Sequence, residues 1–210
     1  MKRVEKDIAR DLLQINAIKL NLASPFIWAS GWNSPIYCDN RKTLAYPKVR
    51  DAIRDHFCEI IREQFPNVDA IAGVATGAIA HGVLVAEKLN LPFSYVRSAP
   101  KSHGLTNLIE GEVKVGQKVV VVEDLISTGA SSLAAVEALR NAGCEVLGMV
   151  AIFTYGFPQS QQAFLAANCS LITLSSYNSL IEEALEMGYI EKASMTPLAE
   201  WRNNPEIWKK

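Results

Sequence analysis

Cysteine is scarce in this sequence. The four that occur, Cys38, Cys58, Cys144 and Cys169, are far apart and form no C-x-x-C pair. That spacing excludes a structural zinc site and a disulfide framework, and such cysteines act as small apolar residues in a reducing compartment. Charge of one sign is also lacking: 21 basic and 22 acidic residues leave a net charge of -1. Without a basic excess there is no reason to expect a nucleic-acid partner. No apolar run approaches the roughly 20 residues of a membrane span, and the charged start, Met1 to Leu20, does not read as a secretory signal, so a cytoplasmic protein is expected. Tandem repeats, low-complexity tracts and Gly/Ser linkers are absent. So are G-x-x-x-x-G-K-[ST] and G-x-G-x-x-G, which disfavours an NTPase P-loop and a dinucleotide fold.

With 49% hydrophobic residues in 210, the chain can bury a sizeable core, and one domain spanning 1–210 is expected. Val4, Ile8, Leu12 and Ile15 recur at helical spacing. Phe26–Ala29 and Pro35–Cys38 flank Ser30–Ser34 as a plausible hairpin. Pro47 suits a helix start, followed by Val49, Ile53, Phe57, Ile60 and Ile61. From Val68 onward strands and helices alternate. Strands are predicted at Val68–Ala72, Phe93–Arg97, Lys118–Glu123, Glu145–Phe153 and Leu171–Ser175. Helices are predicted at Ala78–Leu89, Ala130–Asn141, Gln159–Ala167 and Ser179–Met187. Continuous apolar strands such as Val119–Val122 imply burial on both faces, hence an α/β fold with a central parallel sheet flanked by helices. Ligands of such sheets sit beyond the carboxyl ends of the strands.

The segment after Val122 carries the chemistry. Glu123 and Asp124 lead through Leu125 and Ile126 into Ser127, Thr128 and Gly129, and Ala130 opens a helix. A helix N-terminus offers unpaired N–H groups and partial positive charge to a phosphate. Ser127, Thr128 and Ser131 can add hydroxyl donors, and Gly129 lets the backbone approach. The bland alternative is that Ser127 or Thr128 caps the helix. It leaves the two acids unexplained. They would repel a bare phosphate but suit a ligand that also offers hydroxyls or bound Mg²⁺, as a ribose phosphate does.

Val119 to Ser132 resembles the signature of type I phosphoribosyltransferases. The resemblance implies that fold, with a small N-terminal hood built mainly from 15–45. Glu123 and Asp124 would face the ribose hydroxyls of phosphoribosyl pyrophosphate, and 125–131 would wrap its 5-phosphate. Arg97, Lys101, His103 and Gly104 match the R-x-x-x-K-x-H-G loop of the orotate branch. There the loop reaches into the neighbouring subunit, which implies a homodimer with 98–112 acting across the interface. Lys101 and His103, with Asp124, are the expected catalytic residues, and Arg97 adds a contact to the pyrophosphate. Ala75, Thr76 and Gly77, leaving the first sheet strand, would form the pyrophosphate loop; a ligand-free glycine turn is the alternative. Mg²⁺ would be bound mainly through substrate, with no protein ligand directly assigned.

Ser30 to Arg41 resembles the orotate-branch pattern S-G-x-x-S-P-I-Y-x-D-x-R, which purine enzymes lack, and the resemblance implies orotate as acceptor, with Ser127 contacting the base. Three positions depart from the pattern. Ser98 and Ala29 stand where many members have lysine, and Thr154-Tyr155-Gly156 stands where many have Asp-Arg. His81 reads as a packed histidine and His56 as a helix-surface one. A regulator that senses phosphoribosyl pyrophosphate on nucleic acid, and a purine or uracil enzyme, are the competing readings. The tail with Trp201 and Trp208 carries no readable motif.

Overall fold

The computed structural model describes residues 2–28, 30–97 and 108–209. Helix α1 (Lys2–Gln14) buries Ile8, Ala9, Leu12 and Leu13. Four short strands follow: β1 (Ile18–Leu20), β2 (Phe26–Ile27), β3 (Asn33–Ser34) and β4 (Ile36–Cys38). A 3₁₀ turn (Asn40–Ala45) leads to α2 (Pro47–Gln64). The alternating part comprises β5 (Ala70–Val74), α3 (Ile79–Leu89), β6 (Phe93–Val96), β7 (Ile109–Glu110), β8 (Lys118–Ile126), α4 (Ala130–Asn141), β9 (Glu145–Thr154), α5 (Pro158–Ala166), β10 (Leu171–Ser176) and α6 (Tyr177–Glu186). Helix α7 (Met195–Asn203) is the last element of the described residues.

The main sheet runs β10-β9-β8-β5-β6-β7. All pairings among its first five strands are parallel, and β7 joins the edge antiparallel to β6. Val119 to Val122 are fully buried because one core lies on each face. Val120 and Val122 pack with residues of α1, α2, α3 and α6, and Val119 and Val121 with those of α4 and α5. Each such valine contributes about 1.5–3 kcal/mol of burial. Strands β5 and β8 are neighbours, yet β5 leads on to β6 at one side and β8 to β9 at the other. The loops leaving them therefore diverge and open a crevice at their carboxyl ends.

Two expectations are corrected. The hairpin pairs β2 with β3 (Ile27 opposite Asn33), not with Pro35–Cys38. The Trp28 amide donates to the Trp32 carbonyl at 2.9 Å, and Gly31 turns the chain at φ +82°. Pro35 has no N–H to continue that ladder, and its carbonyl accepts from Asn21 instead. Ile36–Cys38 pairs with β1, a strand too short for alternation to reveal. Secondly, β8 does not end at Glu123. It runs to Ile126, paired with β9 as far as Thr154. The two acids thus lie on strand rather than in a turn, and neighbouring strand residues face opposite sides of a sheet.

Candidate active site

The loop between β8 and α4 is Ser127, Thr128 and Gly129. Gly129 is the residue before α4, at φ +85°, and no side chain caps the helix. Capping by Ser127 or Thr128 is thereby removed as the explanation of this loop. The α4 N-terminus keeps the dipole and amides that attract an anion. Ala130 and Ser131 are exposed beside it, whereas Ile126 is buried and offers a ligand only its backbone. Leu125 is half-buried.

On the opposite wall, Ala75, Thr76 and Gly77 connect β5 to α3. The Ala75–Thr76 peptide is cis, and α3 likewise lacks a side-chain cap. Gly77 sits against Asp124: a Cβ there would lie 2.2 Å from the carboxylate Oδ2. The structure therefore brings the two loops together with Asp124 between them. Asn40, from the 3₁₀ turn, holds this strand end by donating its Nδ2 to the Asp124 carbonyl at 2.5 Å.

Glu123 leaves the other face of the strand, and its carboxylate curls back to within hydrogen-bonding reach of Asp124. It is 4% exposed, its Oε2 accepts from Ser132 Oγ at 2.8 Å, and its Oε1 accepts from the Asp124 amide at 2.9 Å. Burial, and then the neighbouring Asp124 charge, push its pKa up. Burial also raises that of Asp124. Asp124 borders the crevice, and Glu123, beside it, also braces β8 against α4 through Ser132. Ser132 and Asn40 were not singled out from the sequence. The continuation of small hydroxyl residues to Ser132 was the available signal for the first.

Behind the phosphate loop lies a cavity of about 620 Å³. Hood residues Trp28, Ser30, Trp32 and Tyr37 line one side, and Leu125, Ser127 and Thr128 the other. Tyr155 completes the lining and is 2% exposed, and its phenol is pushed well above its ordinary pKa by burial. Its ring lies 4.9 Å from that of Trp28. Arg97, at the end of β6, pairs with Glu110 (Nη1 to Oε1, 3.4 Å). Lys101, His103, Ser98 and Ala29 lie outside the described residues.

His81 is buried on α3, and its Nε2 is 2.9 Å from Thr43 Oγ1. Its Nδ1 has no partner among the described residues. Desolvation, aided by the Arg50 charge, lowers its pKa to about 4. A histidine held neutral in the folded state is protonated in the unfolded chain below about pH 6.5, so stability falls as pH drops from 6.5 towards 4. The loss should be on the order of 3 kcal/mol. Urea midpoints at pH 7 and pH 4.5 check this. The wild type should lose more on acidification than His81→Gln, and equal losses would clear His81 as the source.

Among the described residues no group of three or more His, Cys, Asp or Glu is placed to hold a metal, and no helix is long and apolar enough to cross a membrane.

Residues 41–185 match the family described as phosphoribosyl transferase domain. An orotate phosphoribosyltransferase of Bacteroides fragilis is 59% identical over 209 residues, covering 100% of this chain and 99% of its own. One from Bacillus caldolyticus is 55% identical over 205 residues, 98% of this chain and 99% of its own. Among solved structures, the orotate phosphoribosyltransferase of Aeropyrum pernix superposes with a TM-score of 0.76 at 27% identity, covering 88% of this chain and 99% of its own.

Proposed function

Because the chain belongs to the orotate phosphoribosyltransferase family, we propose that it transfers the 5-phosphoribosyl group of phosphoribosyl pyrophosphate to orotate. The products are orotidine 5-phosphate and pyrophosphate, a step of pyrimidine synthesis. The observation that carries the reading of the site is Asp124 set over Gly77 between two uncapped helix N-termini. One terminus suits the 5-phosphate, at 127–131, and the other the pyrophosphate, at 75–77. The cavity beyond Ser127 and Thr128 then takes the base.

In this arrangement the bond from ribose C1 to the pyrophosphate oxygen breaks, and the base nitrogen supplies the electron pair that replaces it. Asp124 accepts from the ribose hydroxyls and favours the positive charge that develops on the sugar. Burial disfavours its ionised form in the free protein, so hydroxyl donors or a cation arriving with substrate relieve a cost already present. Catalysis is then chiefly positioning and charge stabilisation. Mg²⁺ arriving with the substrate would supply positive charge against the leaving group. Asp124 fits it as a hard oxygen donor bordering the substrate, and a substrate-borne ion needs no protein cage. Lys101 and His103, with Arg97, complete the charge on the departing pyrophosphate, His103 also as proton donor.

The match of Arg97 to Gly104 with the orotate-branch loop supports a homodimer in which 98–112 acts across the interface. One assay tests the acceptor: the protein with phosphoribosyl pyrophosphate and Mg²⁺ is offered orotate, uracil, hypoxanthine and adenine in turn. Turnover should be seen with orotate and exceed that with every other base. Preference for a purine would overturn the reading, and absence of turnover with all four would favour a non-catalytic sensor.

A further inference from the structure

Six of the ten residues that line the base cavity come from the hood, at 27–38, and the hood is fastened to the far end of the chain, both lying outside 41–185. Trp201 of α7 is fully buried. Its indole N–H donates to the Asn33 carbonyl at 3.1 Å, and its ring meets the edges of Trp28 (5.7 Å, 82°) and Tyr155 (5.8 Å, 81°). Arg202, the next residue, donates Nη2 to the Gly156 carbonyl at 2.9 Å and Nε to the Tyr155 carbonyl at 3.3 Å. Gly156 is at φ +64°, a conformation glycine adopts without cost, and its carbonyl is thereby aimed at the guanidinium. Further along, Lys209 accepts from Asn33 Nδ2 through its carbonyl (2.6 Å) and donates its Nζ to the Leu22 carbonyl (2.8 Å).

Trp28 and Tyr155 line the cavity; Trp201 and Arg202 do not. Helix α7 therefore stands behind the wall and grips both its halves, the hood through Asn33 and Trp28, and the end of β9 through Tyr155 and Gly156. No hydrogen bond or ring contact among the described residues joins α7 to 75–77 or to 124–131. We propose that Trp201 and Arg202 are positioning residues for the base site, clamping the hood to the loop after β9 and so setting the affinity for the pyrimidine but not for phosphoribosyl pyrophosphate.

The inference rests on the orotate-transfer reading, and the test keeps the two apart. Steady-state kinetics are measured with each substrate varied, alongside orotate binding by quenching of tryptophan fluorescence and thermal unfolding. Arg202→Ala should raise the KM for orotate about tenfold, with the KM for phosphoribosyl pyrophosphate and kcat within about threefold of wild type. Arg202→Lys, which keeps charge but not the planar fork that spans two carbonyls, should fall between. Trp201→Phe keeps a ring in the core but loses the N–H to Asn33, and should weaken orotate alone, by a few-fold. Orotate constants unchanged in a folded Arg202→Ala protein, or equal increases in both KM values, would sink the positioning role. Wild-type protein that turns over no orotate would instead sink the function on which it rests.

Discussion

Gly77→Ala should lower kcat/KM about 100-fold, the scale of effect reported when a reacting group is displaced by about 1 Å, while the protein stays folded. The added methyl would lie 2.2 Å from Asp124 Oδ2 and 2.4 Å from its carboxyl carbon. Aspartate has too short a side chain to fold away from such a clash, so either the carboxylate leaves its position or the 75–77 loop backs off. Both moves take apart the same proposed arrangement: the acid assigned to the ribose and the amides assigned to the pyrophosphate. Gly77 is not among the glycines with positive φ, so alanine brings no backbone strain of that kind. The loss should appear mainly in kcat, since the 5-phosphate loop is untouched. Circular dichroism and a thermal melt check the fold, and a kcat within threefold of wild type in the folded variant would contradict this account.

Lys101→Ala should cost roughly 100-fold or more in turnover, with the fold intact. The argument comes from the charges around the crevice. Arg97 is engaged by Glu110, and Arg41 by Asp39 at 2.6 Å. The Arg41 pair is also mutually reinforcing: each side chain's hydrogen bond shifts the other's pKa towards its charged form. On the proposed reading, a pyrophosphate leaving as a polyanion meets two arginines whose charge is already partly answered. The segment 98–107 must bring further positive charge, and Lys101 is its one lysine. A rate unchanged by the substitution would remove Lys101 from the mechanism. The same variant tests the dimer. If the loop acts across the interface, mixing Lys101→Ala with Asp124→Asn subunits creates a site with Asp124 on one subunit and Lys101 on the other. Activity should then return on mixing two nearly inactive proteins. No recovery after verified subunit exchange would place the loop in its own subunit's site.

The legible parts of this molecule were those written in local periodicity. The alternation from Val68 to Met187 gave every strand and helix of the main sheet except β7, because buried strands are continuous apolar runs and their helices are amphipathic. The hood was misread because its strands are two or three residues long and pair with partners chosen by tertiary contacts: β4 with β1 rather than with β2. The tail was unreadable for a related reason. Trp201 and Arg202 acquire meaning only from Asn33, Tyr155 and Gly156, which lie 45 or more positions away in the chain. The turn into α4 at Gly129 was legible from its residues, but the placing of the two acids before it was not. Two adjacent acids look equivalent in one dimension, and a strand extended to Ile126 assigns them to opposite sides.

That extension makes strand register a carrier of chemistry. Sliding β8 by one residue would exchange the two acids, presenting Glu123 to the crevice and burying Asp124 against α4, since every side chain changes face in such a slip. From Val120 to Ile126 the pairing with β9 keeps one register, and β5 holds β8 on its other edge as far as Val122. The one irregularity falls between Val119 and Val120, upstream of both acids. A residue inserted or lost in the 111–117 connection can be absorbed there and leave the site intact. The same change between Val120 and Ile126 has no such outlet, so length variation among working relatives should be confined to the upstream side.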